Sequence, residues 1–320
     1  MAAAAGVDVV AELNRYAQLI QAEIRNELVA DEISEHLRGP LSDYPERGGK
    51  GIRPALLLAT CQAFGGLLAD GLPSAKAIEL LHNAFLVHDD IEDGSLLRRG
   101  RPTLHEIYGV PLAVHAGDAL ALRGMGALRV NNRLLGARLA ADVYDEFDFM
   151  ARQTADGQAI DLAWRIGNRL DATPEDYLDL MMKKTSWYTT VLPLRVGALI
   201  GSRGSADLKP MIDFGFYLGA AFQIQDDVLN LVGDVELYGK ERHGDVREAK
   251  RTLTVIHAAA VADAADKRAL EELLDPDRER SAADVAAVVE IMERYGSVAF
   301  AREFARGVAE SARAAFVDAF

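Results

Sequence analysis

Two apolar, helix-patterned runs of this chain each carry a cluster of carboxylates: AIELLHNAFLVHDDIED, which ends at Asp93, and FYLGAAFQIQDDVLNLVGD, which ends at Asp234. On a helix, residues i and i+4 share a face and i+1 lies beside them. Asp89, Asp90 and Asp93 therefore project to one side of the first run, and Asp226 and Asp227 to one side of the second. Like charges this close repel, and taking them out of water is costly unless something cationic compensates. The fold has to present both faces to a cavity that supplies that compensation. Carboxylates select hard cations, and Mg²⁺ in particular is usually shared between a few carboxylates and a substrate's phosphates.

An isolated acidic pair is most simply a solvated polar face. The neighbours argue otherwise here. Arg98-Arg99-Gly100 follows the first cluster, and Gly48-Gly49-Lys50-Gly51-Ile52-Arg53-Pro54 precedes it. Carboxylates for metal, paired arginines for phosphate oxygens and a glycine-flanked lysine make up a phosphate-binding inventory.

Strand signals are almost absent. The chain is rich in Ala, Leu, Glu and Arg, with apolar residues recurring at three and four. Short clusters such as FGGLLADGLPSAK, GNRLDATPEDY and LDPDRERSAAD punctuate it. Ser74 is placed to cap the helix carrying Asp89, and Thr173-Pro174-Glu175-Asp176 offers a cap, a first-turn proline and first-turn acids. About ten to twelve helices with short loops are expected. The helix from about Ser74 to Gly94 is apolar on most of its circumference, as befits a helix in the middle of a bundle. The fold class is all-α: one large helical bundle around a central cavity, with residues 1–320 as a single domain.

The 320 residues are half hydrophobic, ample for such a core, and the net charge of −14 argues against a nucleic-acid partner. It equally disfavours a protein held on anionic lipid by basic patches. The one cysteine, Cys61, lies in an apolar run, which excludes a disulfide framework and gives it a packing role. Neither a signal peptide nor an apolar run long enough to span a membrane is visible, so a soluble cytoplasmic protein is expected.

The set GGKGIRP, LLHNAFLVHDDIEDGSLLRRGRPTLH, GQAIDLAW, KKTSWYT, FQIQDDVLNLVGD and GKERHGDVREAKRTL resembles the trans-isoprenyl diphosphate synthases, or polyprenyl synthetases. The segments run in family order from about Gly48 to Leu253. DDIEDGSLLRRG and Asn230 at the end of the second motif are most similar to the geranylgeranyl diphosphate synthases of the eukaryotic sort.

The resemblance implies a homodimeric enzyme that joins an allylic diphosphate to isopentenyl diphosphate and releases pyrophosphate. It implies three Mg²⁺ ions, with Mn²⁺ as a possible substitute. Asp89 and Asp93 would share two ions and Asp226 would hold the third, with Asp90 and Asp227 adjacent. Asn230 removes one carboxylate from the pattern, leaving an amide oxygen as a weak ligand or supporting group. Arg98 would serve the allylic diphosphate and Arg99 the isopentenyl diphosphate, the latter with Lys50, Arg53 and His82. A basic residue often stands where this chain has Gly51. Lys184, Thr185 and Gln223 would anchor the allylic diphosphate and stabilise the cation left by ionisation. Lys240 and Lys250 would close over the leaving group on a glycine-punctuated loop, a lid that excludes water. Gln158 and Asp161 would belong to the cavity wall near the metals, by packing, by support or by direct contact. Trp164, Trp187 and Tyr188 are aromatic packing in the first instance. The metal-bound pyrophosphate is the implied final base.

Chain length in such enzymes is limited by residues one turn before the first aspartate, here Ala84 and Phe85, with Leu81 and His82 beneath. One small and one aromatic residue point to the twenty-carbon geranylgeranyl product, then to the farnesyl and geranylfarnesyl products. A terpene cyclase shares the fold and a DDxxD motif but needs neither GGKGIRP nor a second DD motif. A non-catalytic partner subunit would be expected to have lost aspartates.

Overall fold

The computed structural model describes residues 8–233 and 242–320. In chain order the elements are α1 (Val9–Ala30), α2 (Glu35–Glu46), α3 (Ile52–Ala63), α4 (Leu68–Asp93), β1 (Leu97–Arg98), β2 (Arg101–Pro102), α5 (Leu104–Tyr108), α6 (Val110–Leu128), α7 (Asn131–Leu134), α8 (Ala137–Ile166) and α9 (Pro174–Met181). A π-helical segment (Met182–Val191) leads from α9 into α10 (Leu192–Gly201). There follow α11 (Pro210–Val232), α12 (Gly244–Arg247), α13 (Leu253–Val261), α14 (Ala264–Leu273), α15 (Ala282–Arg294) and α16 (Ser297–Ala319). Among the described residues the fold is all-helical apart from the two-residue hairpin strands. The additional short helices α5, α7 and α12 are single turns whose sequences carry no periodic signal.

The chain divides into two compact units, one of residues 1–92, 103–148 and 192–208, the other of residues 93–102, 149–191 and 209–320. In the first, α4 is buried over most of its circumference: Ala75, Ala77, Ile78, Leu80, Leu81, Ala84 and Val87 are all buried. Its start differs from expectation. The helix begins at Leu68, and Ser74 lies inside it, wholly buried, with its hydroxyl accepting from Asn131 Nδ2 at 3.0 Å. Packing of Gly71 against Leu57 and Leu58 of α3 extends the helix across Pro73, overriding the capping signal. On α6, Gly117 and Gly124 face His88 and Leu81 of α4 so closely that a Cβ would come within 2.3 Å and 3.0 Å of those side chains. Glycine is what lets α6 lie against the helix that carries Asp89. Cys61 is fully buried, and burial pushes its thiol up to about 11.

The second unit is organised by α11, which packs against α16 and the π-helical segment. Its core joins Trp164, Tyr177, Leu180, Met181, Ile224, Val228, Leu253 and Ile256. Thr173 starts α9 as its sequence predicts. Its hydroxyl accepts from Asp176 N at 3.1 Å, Asp176 Oδ2 accepts from Thr173 N at 2.9 Å, and Pro174 fills the first helical position. Trp187 packs edge-on to Phe149 with ring centroids 4.8 Å apart, the packing role its surroundings favour. No helix of the described residues is long and apolar enough to cross a membrane.

Candidate diphosphate and metal site

In the first unit, the last turns of α4 separate the two adjacent aspartates. Asp89 is half-buried, while Asp90 is wholly buried and accepts a short hydrogen bond from Tyr44. That hydroxyl in turn accepts from Leu104 N at 3.3 Å. Asp90 therefore braces α4 against α2 and the start of α5. Arg53 and His82 are brought together, Nη1 to Nε2 at 3.2 Å, with His82 9% exposed. Since arginine only donates, His82 Nε2 accepts and is unprotonated in this contact. Lys50 is exposed just before α3. Gly51 caps α3 at φ 58°, in the left-handed region, and a Cβ there would lie 2.5 Å from that of Ala17. Backbone conformation and crowding together exclude a basic residue at this position. Ala84 is fully buried and Phe85 half-buried.

In the second unit, Asp93 closes α4 with a side chain that has no exposure and two cations against it: Arg165 Nη1 at 2.8 Å and Lys250 Nζ at 2.7 Å. Lys250 also reaches Glu248 at 2.7 Å and Asp245 at 3.6 Å. The adjacent arginines part company at the β1–β2 turn. Arg98 pairs with Arg101 in the hairpin register and is 7% exposed, whereas Arg99 (φ 55°) and Gly100 (φ 73°) form the left-handed tip. A polar cleft brings together Arg98, Asn230, Asp245, Glu248 and Lys250, walled by Ser95 to Leu97. The Asn230 oxygen accepts from Asp245 N at 3.2 Å, so this amide caps α12. Lys240 lies outside the described residues.

The second acidic motif divides in the same way as the first. Asp226 is half-buried, and Asp227 is buried with both oxygens engaged. Gln223 Nε2 donates to Asp227 Oδ1 at 2.8 Å and Tyr177 OH to Oδ2 at 2.8 Å. Thr185 Oγ1 donates to the other end of the Gln223 amide at 3.3 Å. Burial first, then the nearby Asp245 carboxylate, raises Asp227 to about 7, although both donors oppose the rise. Lys184 Nζ is 2.7 Å from Asp161 Oδ2. Burial alone would raise Asp161, but Lys184 and then Arg165 outweigh it and hold the carboxyl below its ordinary value.

Lys184 and Thr185 sit in the π-helical segment, whose wider turn changes the direction of the side chains relative to α9. Gly157 of α8 lies against that segment: a Cβ there would approach Lys184 N to 2.3 Å and its Cα to 2.6 Å. Gln158, the next residue on α8, is exposed to an intermediate degree.

Sequence reasoning did not find Tyr44, Arg165, Tyr177, Asp245 or Arg251. Arg251, 2% exposed, holds the Lys250 segment by donating to the carbonyl of Ala249, to Arg169 O at 3.0 Å and to Asn168 Oδ1 at 2.6 Å. Ala249 has a φ of 53°, a strained value for a residue with a Cβ. The signal available for Tyr177 and Arg165 was position alone: one lies seven residues before Lys184, the other four after Asp161.

Among the described residues, no three His, Cys, Asp or Glu side chains form a ready-made metal cage. Asp89 in the first unit and Asp226 in the second are each a half-buried carboxylate beside a braced neighbour, and each has the chemistry of a hard-cation ligand that shares its ion with phosphate and water.

A sequence model of the family described as polyprenyl synthetase matches residues 34–292. A short chain isoprenyl diphosphate synthase of Methanothermobacter thermautotrophicus is 35% identical over 294 residues, covering 92% of this chain and 87% of that protein. The crystal structure of geranylgeranyl pyrophosphate synthetase from Pyrococcus horikoshii superimposes with a TM-score of 0.83 at 33% identity, over 96% of this chain and 91% of that one. Geranylgeranyl pyrophosphate synthase from Corynebacterium glutamicum, complexed with isoprenyl diphosphate and magnesium, gives a TM-score of 0.84 at 26% identity, over 96% of this chain and 93% of that one.

Proposed function

The chain belongs to the polyprenyl synthetase family and is a short-chain trans-prenyltransferase, and from that premise we infer that it condenses isopentenyl diphosphate with an allylic diphosphate to make geranylgeranyl diphosphate. The observation that carries this reading is the meeting of Asp93, Lys250 and the Arg98 cleft, drawn from distant stretches of chain into one polar setting. Acid for metal and base for phosphate lie side by side, as a diphosphate leaving group requires.

Asp89, Asp93 and Asp226 would hold Mg²⁺, with Asp90 and Asp227 as their buried supports. When bound, the ions neutralise negative charge as it builds on the departing pyrophosphate. The protein's own groups do the rest. Arg98 orients the allylic diphosphate. Arg99, Lys50 and the Arg53–His82 pair hold isopentenyl diphosphate. Lys184 and Lys250, each paired with a carboxylate, are long and flexible enough to turn to phosphate oxygens. The Thr185 hydroxyl and the Gln223 amide, fixed in one orientation by Asp227, place dipoles beside the developing cation.

The buried Ala84 and half-buried Phe85 support a tunnel floor that stops growth at twenty carbons, with fifteen and twenty-five as the neighbouring outcomes. We propose that the enzyme is a homodimer, the assembly the family resemblance implies, and that it works in the cytoplasm. The test is an assay with isopentenyl diphosphate and each of the five-, ten- and fifteen-carbon primers, with and without Mg²⁺. A twenty-carbon product from all three supports the reading. Absence of Mg²⁺-dependent condensation with any primer overturns it.

A further inference from the structure

A line of alternating charge runs through the second unit. Glu248 meets Lys250 at 2.7 Å, Lys250 meets Asp93 at 2.7 Å, and Asp93 meets Arg165 at 2.8 Å. Arg165 then lies 3.8 Å from Asp161, and Asp161 2.7 Å from Lys184. Every side chain in it is mostly buried, from 21% exposed at Lys184 to none at Asp93. Three members, Asp93, Lys184 and Lys250, already have a place in the proposed reaction. Arg165 has none, yet it stands between two of them.

The lysines and Arg165 differ in what they can do next. A lysine reaches through a flexible four-carbon stem and can turn from a carboxylate to a phosphate. Arg165 is held between two carboxylates, Asp93 and its own helical neighbour Asp161, and its guanidinium does not lose its proton. Positive charge therefore stays beside Asp93 whatever binds.

We propose that Arg165 is a positioning residue, a permanent internal counter-ion that holds Asp93 in place in the free enzyme and weakens its hold on a divalent cation until a diphosphate arrives with it. The proposal rests on the reading of Asp93 as a metal ligand. A dication approaching the far side of the Asp93 carboxylate meets the field of a guanidinium a few ångströms away. The repulsion is large enough to lower affinity on the order of tenfold even when heavily screened. A metal diphosphate carries its own negative charge and escapes that penalty. The consequence is ordered loading: the free enzyme discriminates against the bare ion and accepts the ion with substrate.

The measurement is Mn²⁺ binding to the purified protein without diphosphate, by electron paramagnetic resonance, with the Mg²⁺-induced rise in Tm as a second readout. The variants are Arg165→Met and Arg165→Gln, which remove the charge, and Arg165→Lys, which keeps it. Both neutral variants should bind Mn²⁺ about tenfold tighter than wild type and gain more Tm from Mg²⁺, while the lysine variant stays close to wild type. Equal or weaker Mn²⁺ binding in a folded neutral variant overturns the proposal. Failure of both neutral variants to fold does so too, because the arginine is then a structural ion pair. Asp93→Asn separates the two layers. If it leaves Mn²⁺ binding unchanged, the metal reading of Asp93 fails. If it abolishes binding while the Arg165 variants match wild type, only the counter-ion proposal fails.

Discussion

Tyr177 donates its phenolic hydrogen to Asp227 across fifty residues of sequence, at 2.8 Å and fully buried, and so fixes the oxygen that Gln223 leaves unbound. This pairing makes Asp227 the braced, buried member of its motif, beside a half-buried Asp226. Tyr44 does the same for Asp90 beside Asp89. Each acidic pair is divided into a support and a candidate ligand by a tyrosine from another helix.

Tyr177→Phe removes one donor from a buried carboxylate and should cost about 1–3 kcal/mol of stability at pH 8. The loss should shrink at pH 5, where Asp227 is protonated and makes weaker demands on its neighbours. Urea unfolding at the two pH values measures it. An equal loss at both would show that the ring's packing, not the hydroxyl, is what matters.

The raised Asp227 carboxyl has a consequence for the metal-free enzyme. Its value in the fold is about 7, against about 4 in the unfolded chain. Between those values the folded state keeps a proton that the unfolded state has lost. Stability from this group is therefore full below about pH 4 and declines as pH rises through 7, by a few kcal/mol at most. Denaturant titrations of wild type in chelator from pH 4 to 8 should show that decline, and Asp227→Asn should flatten it.

Gly157→Ala places a methyl group against the backbone of Lys184, where no flexible side chain can yield. Moving the π-helical segment should lower kcat at least tenfold and cost about 1–3 kcal/mol. Steady-state kinetics with matched thermal scans check this; near-normal kcat would show that Lys184 tolerates displacement.

Asp89→Ala and Asp226→Ala should each lose orders of magnitude in turnover with the fold retained, since both side chains are half-buried. Purified variants with native circular dichroism and near-normal turnover would remove these two residues from the metal assignment.

Phe85→Ala should lengthen the product at a comparable rate, because the change lies a full turn from Asp89. Chromatography of dephosphorylated products decides it. An unchanged product with a lowered Tm would identify Phe85 as packing alone.

What the sequence determined by itself is what is local. The three-four periodicity specifies the helices, the Thr173 box specifies where α9 begins, and the order of the acidic, arginine and lysine motifs specifies the family. Its family resemblance also assigns Arg53 and His82 to the same diphosphate, and the fold sets them 3.2 Å apart. The helix α4 starts at Leu68 and not at Ser74, because packing of Gly71 on α3 outweighs a capping preference worth only about 1 kcal/mol. The tertiary structure alone decided which aspartate of each pair is braced, that Lys184 rides on a π-helical turn, and that Arg165 lies beside Asp93. Those outcomes depend on burial and on charges from segments far apart in sequence. A carboxylate's role is set by the donors that surround it, and no spacing in the chain records which of them the fold will bring there.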